Sequence, residues 1–140
     1  PYQFCNLSEV VVRSSDTQQS LTEKVRLATI LGTFQSTLTE FKYLRNVWKK
    51  NTMEERLLGV SLTGIMDNAM MSGKSAHLGM NISATLNALK EQAINTNAAM
   101  AEQLGISQSA AITCVKPSGT VSQLVNSASG IHARHNPASR

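Results

Sequence analysis

The chain has 140 residues, the length of a single domain, and 41% of them are hydrophobic, which is enough to form a core. The 13 Lys and Arg residues against nine Asp and Glu residues give a net charge of +4, which suits an anionic ligand but does not by itself indicate nucleic-acid binding. No apolar run has the length of a membrane span, and we expect a cytoplasmic protein without a secretory signal.

The first predicted elements are a strand and a long helix. Residues 4–13 include the β-branched triplet Val10–Val12, which favours a strand. Ser20 is followed three residues later by Glu23, and this capping box predicts the start of a helix. Apolar residues then recur at spacings of three and four, which predicts one buried helix face. The predicted face consists of Leu21, Val25, Ala28, Leu31, Phe34, Leu38 and Phe41.

A basic and aromatic stretch, Lys42–Lys50, follows this helix. Basic side chains interleaved with aromatic rings can bind single-stranded nucleic acid by charge and stacking. We instead favour a solvated helix face on which Tyr43, Val47 and Trp48 are partly buried. The next segment, Glu54–Gly59, predicts a helical turn that ends at its glycine.

The second half of the chain predicts a further strand, a long helix and a last strand. Val60–Ile65 alternates as a strand does, and residues 66–79 predict a loop or a broken helix. A helix is predicted from Ile82 to Leu104, with Gly105 as its stop, and residues 110–115 predict a short buried strand. This alternation predicts an α/β architecture. The predicted apolar face of the second helix consists of Ile82, Leu86, Leu89, Ala93, Met100 and Leu104.

The segment 116–122 predicts a site for an anion. It reads as the end of a strand, a tight turn and the start of a helix, and the unpaired N–H groups of a helix start attract phosphate. Ser118, Thr120 and Ser122 would add hydroxyl donors, and Gly119 would let the backbone approach a ligand closely. An ordinary turn is the alternative, because the spacing matches neither a P-loop nor a dinucleotide-binding motif.

The remaining candidate residues are two cysteines and two histidines. Cys5 and Cys114 lie far apart in the sequence and do not suggest a disulfide framework. A single cysteine among apolar neighbours is more often a core residue than a reactive thiol, and Cys114 is expected to serve packing. His132 and His135 lack a third ligand, so we expect no metal site there and assign these histidines and Arg134 a structural or anion-facing role.

Three segments together resemble one enzyme family. They are Gln3–Val10, Glu55–Asp67 and Lys116–Val125, the last followed by Ser129–His132. In this order they closely resemble the large catalytic subunit of the ribonucleotide reductases, most nearly the adenosylcobalamin-dependent class II enzymes. The resemblance covers essentially the whole chain.

The resemblance implies that residues 1–140 belong to a catalytic barrel domain and are incomplete at both ends. The implied fold is a fragment of the ten-stranded α/β barrel shared by the reductases and the glycyl-radical enzymes. In that family a cobalamin-derived radical oxidises one cysteine to a thiyl, which removes the 3′-hydrogen of a ribonucleotide, and the 2′-hydroxyl leaves as water. Two other cysteines supply the electrons and become a disulfide, which thioredoxin or glutaredoxin then reduces.

The family roles transfer to this sequence only in part. The thiyl cysteine belongs to an Asn-Pro-Cys-x-Glu motif that would precede Pro1, so we expect the fragment alone to be inactive. Cys5 matches one member of the reducing pair, whose partner is also outside the sequence. After His135-Asn136-Pro137 the family pattern continues with an aromatic, Arg-containing segment, which Ala138–Arg140 does not supply. The loop that matches the cradle of the substrate phosphates is Pro117, Ser118, Gly119, Thr120, Val121 and Ser122.

The implied ligands and partners follow from the same resemblance. They are a ribonucleoside di- or triphosphate as substrate, adenosylcobalamin as cofactor, thioredoxin or glutaredoxin as reductant, and a dNTP or ATP effector in the full-length protein. No nucleic acid, membrane or metal ligand is implied for these residues. Two alternatives stay open: a class I reductase subunit whose radical comes from a metal-bearing partner, and a non-catalytic, partner-binding α/β domain of the same fold.

Overall fold

The computed structural model describes residues 2–74 and 81–134, and within them the chain is a mixture of helices and parallel strands. The elements in chain order are strand β1 (Asn6–Val11), helix α1 (Gln18–Gln35), helix α2 (Asn46–Glu55), strand β2 (Leu58–Thr63), a 3₁₀ turn (Ile65–Asp67), helix α3 (Ile82–Leu104) and the short helix α4 (Thr120–Leu124). Helices α1 and α3 pack against each other, and α1 also packs against both strands.

Strands β1 and β2 form a two-stranded parallel sheet. Asn6 lies opposite Leu58, and the register continues without a break to Val11 opposite Thr63. Strand β2 starts two residues earlier than its sequence pattern predicts, so Gly59 lies inside the strand instead of ending the preceding helix. This is an α/β arrangement as expected, and the sheet is small.

The segment 110–115 lies along the other edge of β2. The Cys114 N–H donates to the Val60 carbonyl at 3.1 Å, and Val60 and Thr113 form a parallel bridge. The predicted last strand therefore exists only as this bridge. Its predicted burial is wrong, because the segment is partly exposed throughout and Val115 is largely in solvent.

The core lies between the sheet and the helices. Successive side chains of a strand point to opposite faces, and the face of β1 that carries Val10 packs against α1. Few aromatic residues are present in the chain, so aliphatic side chains and one methionine fill this space. The buried cluster consists of Val10, Val12, Leu21, Val25, Ala28, Val60, Met71, Leu89 and Ala93.

The start of α1 differs from the prediction by one turn. Thr17 is the N-cap, and its hydroxyl accepts the Ser20 N–H at 3.3 Å while the Ser20 hydroxyl accepts the Thr17 N–H at 2.9 Å. Ser20 is thus the second partner of the capping box and not the cap itself. Glu23, the expected partner, instead forms an ion pair with Arg26 at 2.6 Å.

The end of α1 and its buried face also differ from the prediction. The helix ends at Gln35, and its second half buries Thr29, Gly32 and Thr33. Each threonine hydroxyl donates to the carbonyl four residues earlier at 2.8 Å, which satisfies the hydroxyl and allows it to be buried. Of the predicted apolar residues beyond Ala28, Leu31 is 67% accessible and Phe34 about half accessible within the helix, and Leu38, which follows its end, is 73% accessible.

Helix α3 has the predicted bounds, with Asn81 as N-cap and Gly105 as left-handed C-cap. Its buried face is again more polar than the apolar pattern indicates, because Thr85, Thr96 and Asn97 are buried while Leu86 of the predicted face is exposed. Asn97 is almost fully buried, and its side chain contacts both Thr33 of α1 and Ser109 in the next loop. The buried residues of the helix are Thr85, Leu89, Ala93, Thr96, Asn97 and Ala101.

The basic stretch consists of a turn at residues 42–45 and the first residues of α2, and it is mostly in solvent. Trp48 is half-buried, with its ring centroid 4.9 Å from that of Phe4 and 5.8 Å from that of Tyr2. Tyr43 is 98% accessible, so its predicted partial burial is wrong. The guanidinium of Arg45 stacks over the Tyr2 ring at 4.9 Å, and the lysines remain solvated, as a helix surface would have them.

Helix α2 ends at Glu55, with Arg56 as its C-cap, and not at Gly59. Arg56 adopts the left-handed conformation with a φ of 43°, although it carries a side chain. Its guanidinium is buried and donates to the Ser36 carbonyl at 2.8 Å, which joins the ends of α1 and α2. Of the predicted loop 66–79, residues 66–74 form turns after Ile65, and residues 75–79 lie outside the described residues.

Candidate functional site

One face of the sheet points away from α1 and carries the two cysteine thiols and the Glu9 carboxylate. Because side chains alternate along a strand, Leu7 and Glu9 point opposite to Val10 of the core. A β-carbon placed on Gly59 would meet Leu7 Cδ2 and both cysteine sulfurs, so these groups share one side of the sheet. We call this the open face and define it as Cys5, Leu7, Glu9, Gly59 and Cys114.

Cys5 lies directly before β1 and is exposed as a free thiol. Partial burial raises the pKa of the Cys5 thiol, and the positive charge of Lys116 opposes that rise without cancelling it. A raised pKa keeps the thiol protonated near neutral pH, unlike an activated cysteine nucleophile. Its exposure leaves the sulfur accessible to a second protein.

Cys114 lies on the same face and its sulfur is close to that of Cys5. A β-carbon on Gly59 would be 3.1 Å from Cys114 Sγ and 3.3 Å from Cys5 Sγ. Burial raises the pKa of Cys114, and the neighbouring Cys5 raises it further. Sequence reasoning missed this pairing and assigned Cys114 to packing, because the pairing requires the register of three chain segments.

The predicted phosphate turn precedes α4, which is only five residues long. Gly119 is its N-cap, and a β-carbon there would have no heavy atom within 4 Å. Thr120 is exposed. Ser118 is buried and donates to Glu9 Oε2 at 2.9 Å, while buried Ser122 donates to the Ser118 carbonyl at 2.5 Å.

The three hydroxyls of this turn therefore differ in what they can do. Ser118 and Ser122 hold the turn and connect it to the open face, whereas Thr120 points to solvent. The Glu9 carboxylate beside Ser118 disfavours a phosphate at that hydroxyl. Pro117 and Val121, the other predicted contacts, are exposed.

The segment 127–130 fastens this turn to the end of β2. The Ser129 hydroxyl donates to the Ser118 carbonyl at 2.5 Å, and the Gly130 N–H donates to Thr63 Oγ1 at 2.9 Å. A β-carbon on Gly130 would lie 2.9 Å from the Lys116 carbonyl oxygen, so the backbones approach very closely here. The turn is thus positioned by residues that follow it by about ten positions.

Arg134 serves the same region as a structural residue. Its Nε and Nη2 atoms bind the Asp67 carboxylate at 2.9 and 3.0 Å, and Asp67 also accepts the Ala128 N–H at 2.8 Å. Hydrogen bonds from Arg134 hold the pKa of Asp67 below its usual value, against a smaller opposing effect of burial. His132 is exposed with Nδ1 3.2 Å from the Ser129 carbonyl, and His135 lies outside the described residues.

A cavity of about 490 Å³ lies between α1, α3 and β2. Its walls are mainly aliphatic, with Val25, Leu62 and Leu89 among them, and Cys114 lies at its border. The cavity has the volume of a drug-sized ligand and is too small to enclose a cobalamin. Among the described residues, no three His, Cys, Asp or Glu side chains come together to hold a metal ion.

Within residues 2–74 and 81–134, none of the helices combines the length and the apolar character that crossing a bilayer requires. No protein-family model, curated protein or solved structure matches the chain.

Proposed function

We propose that this chain is part of the catalytic barrel of a ribonucleotide reductase of the adenosylcobalamin-dependent class, in which Cys5 is one of the two reducing cysteines. The observation that carries the proposal is that Cys5 and the phosphate turn meet one face of the parallel strands. Cys5 precedes β1 on the open face, and Glu9 of the same face binds Ser118. The assignment to this family comes from the three sequence segments that resemble the reductases.

The chemistry assigned to Cys5 requires a thiol that is protonated at rest and reachable. In the reducing step two thiols give up two electrons and two protons and become a disulfide. A thioredoxin-type thiolate then attacks one of the sulfurs and regenerates the dithiol by exchange. The raised pKa of Cys5 and its exposure are consistent with both requirements.

In this proposal the three hydroxyls of the phosphate turn have different roles. Thr120 has the exposed hydroxyl, and the N–H groups of the first turn of α4 lie next to it. Ser118 and Ser122 are positioning residues in this proposal, because their hydroxyls already donate to Glu9 and to the backbone. Adenosylcobalamin is the cofactor of this proposal, and none of these residues is assigned to its binding.

The decisive assay measures ribonucleotide reduction by the full-length protein with thioredoxin, with and without adenosylcobalamin. We expect Cys5→Ser to abolish multiple turnover while substrate binding persists, and Cys114→Ser, the matched control on the same face, to retain turnover. Multiple turnover by the Cys5→Ser variant would refute the redox role. Activity that needs a metal-bearing partner instead of cobalamin would assign the protein to class I, and no activity under either condition would favour the partner-binding alternative.

A second experiment tests the phosphate turn. We expect Thr120→Val to weaken substrate binding by about 1–3 kcal/mol, the range for a charge-assisted hydrogen bond. The double variant that combines Thr120→Val with Ser118→Ala should bind the substrate no more tightly than Thr120→Val alone. Equilibrium binding of a ribonucleoside diphosphate and a triphosphate measures the effect. An unchanged affinity in the double variant would show that the turn does not hold the phosphates.

A further inference from the structure

The two thiols of the open face lie on either side of one strand and converge over its glycine. Cys5 precedes β1 on one side of β2, and Cys114 belongs to the segment on the other side. Both sulfurs lie little more than 3 Å from the position that a Gly59 β-carbon would occupy. The two sulfurs can therefore be no further apart than about twice that distance. Consistent with this closeness, Cys5 raises the pKa of Cys114.

We propose that Cys5 and Cys114 together bind one thiophilic, two-coordinate metal ion of the Cu(I) type across Gly59. Soft thiolate sulfur is the ligand that selects Cu(I) over harder ions. On binding, two S–H bonds break, two S–Cu bonds form, and the two protons pass to water. The proposal depends only on the positions of the two thiols and not on the proposed reductase activity.

A metal bridge fits this geometry better than a disulfide does. A disulfide needs Cα atoms about 4.4–6.8 Å apart, whereas residues on the two outer segments of three adjacent strands are separated by about two strand spacings, near 9.6 Å. An ion between the sulfurs replaces one S–S bond by two longer metal–sulfur bonds. The bridge can therefore span the strand that keeps the thiols from joining directly.

The surroundings favour a coordination number of two. Zinc takes four ligands, and the described residues supply no third His, Cys, Asp or Glu side chain at this point. Two thiolates and one Cu(I) carry a net negative charge, which the positive charge of Lys116, felt by both thiols, offsets. Leu7 Cδ2 packs over Gly59 beside the sulfurs and provides an apolar cover.

Anaerobic titration of the reduced chain with Cu(I), against a coloured Cu(I) chelator, tests the proposal. We expect one Cu(I) per chain and an X-ray absorption spectrum with two sulfur ligands. Cys5→Ser and Cys114→Ser should each lower the affinity by more than about 100-fold, because even groups that only orient a ligand contribute about 10–100-fold. Undiminished affinity in either single variant, or two independent Cu(I) ions on the wild-type chain, would overturn the shared site.

Gly59→Ala is a variant that keeps both thiols. Its new β-carbon would lie 3.1 Å from Cys114 Sγ and 3.3 Å from Cys5 Sγ and would crowd both sulfurs, so we expect weaker Cu(I) binding although both cysteines still react with a thiol reagent in the unfolded chain. The circular dichroism spectrum shows whether this variant folds, and the two serine variants provide the test if it does not. A folded Gly59→Ala chain that binds Cu(I) as tightly as the wild type would contradict the convergence of the sulfurs.

Discussion

The hydrogen bonds of the buried Asn97 side chain are expected to stabilise the fold, and a substitution at this position tests that expectation. Its side chain donates to Thr33 Oγ1 at 3.0 Å and to Ser109 Oγ at 3.1 Å, and it accepts the Ser109 N–H at 2.9 Å. Only 1% of the residue is accessible to solvent. Three hydrogen bonds of about 1 kcal/mol each, less a gain of about 0.5 kcal/mol in helix propensity, predict that Asn97→Ala destabilises the chain by about 2–3 kcal/mol.

Asn95→Ala is the matched control, because Asn95 lies on the exposed side of the same helix. Its free energy of unfolding should change by less than about 0.5 kcal/mol, in the stabilising direction. Urea unfolding followed by circular dichroism gives both values, provided that the slope with denaturant is the same for the variants. If the stability of Asn97→Ala lies within about 0.5 kcal/mol of that of the control, the polar contacts of Asn97 do not stabilise the fold.

Two further perturbations have clear expected outcomes. Gly64→Ala should destabilise the chain by at least about 2 kcal/mol more than Gly73→Ala, as measured by urea unfolding. Both glycines have a φ near +77°, so the backbone strain is the same in the two variants. At Gly64, however, a β-carbon would lie 2.5 Å from the Val12 carbonyl oxygen, whereas at Gly73 it would lie in open space. Equal destabilisation would refute the steric argument. Arg134 lowers the pKa of Asp67, so this pair stabilises the fold above pH about 4 and loses its contribution as the pH falls through the lowered pKa. Arg134→Ala should reduce the stability at neutral pH and flatten its fall below pH about 4, and parallel pH profiles for the two proteins would contradict this.

The sequence predicted α3 well because both of its ends have local signals. The apolar residues begin after Asn81 and stop before Gly105, and each cap acts within a few residues of itself. The buried face of α1 was predicted wrongly beyond Ala28, because hydropathy treats Thr29 and Thr33 as polar. Their hydroxyls bond within the helix and need no water, and this makes them suitable for a close helix contact.

The candidate site was only partly accessible from the sequence. The turn at Ser118 has a local signature, but its contact with Glu9 joins residues 109 positions apart. The approach of the two thiols depends on the register of β1 with β2 and of β2 with the segment at Thr113. No local pattern encodes such registers, so Cys114 could not be recognised as a neighbour of Cys5.

The parallel pairing of β1 with β2 has a consequence for how the chain reaches this state. Asn6 pairs with Leu58, and β2 in turn pairs with Thr113, so each strand contact closes a loop of about fifty residues. Loop closure of this kind costs entropy before any contact compensates for it, and chains rich in such contacts fold slowly, on the order of milliseconds to seconds. The contact of α1 with β1 joins segments that are close in sequence, so it closes a much shorter loop and costs less entropy than either strand pairing.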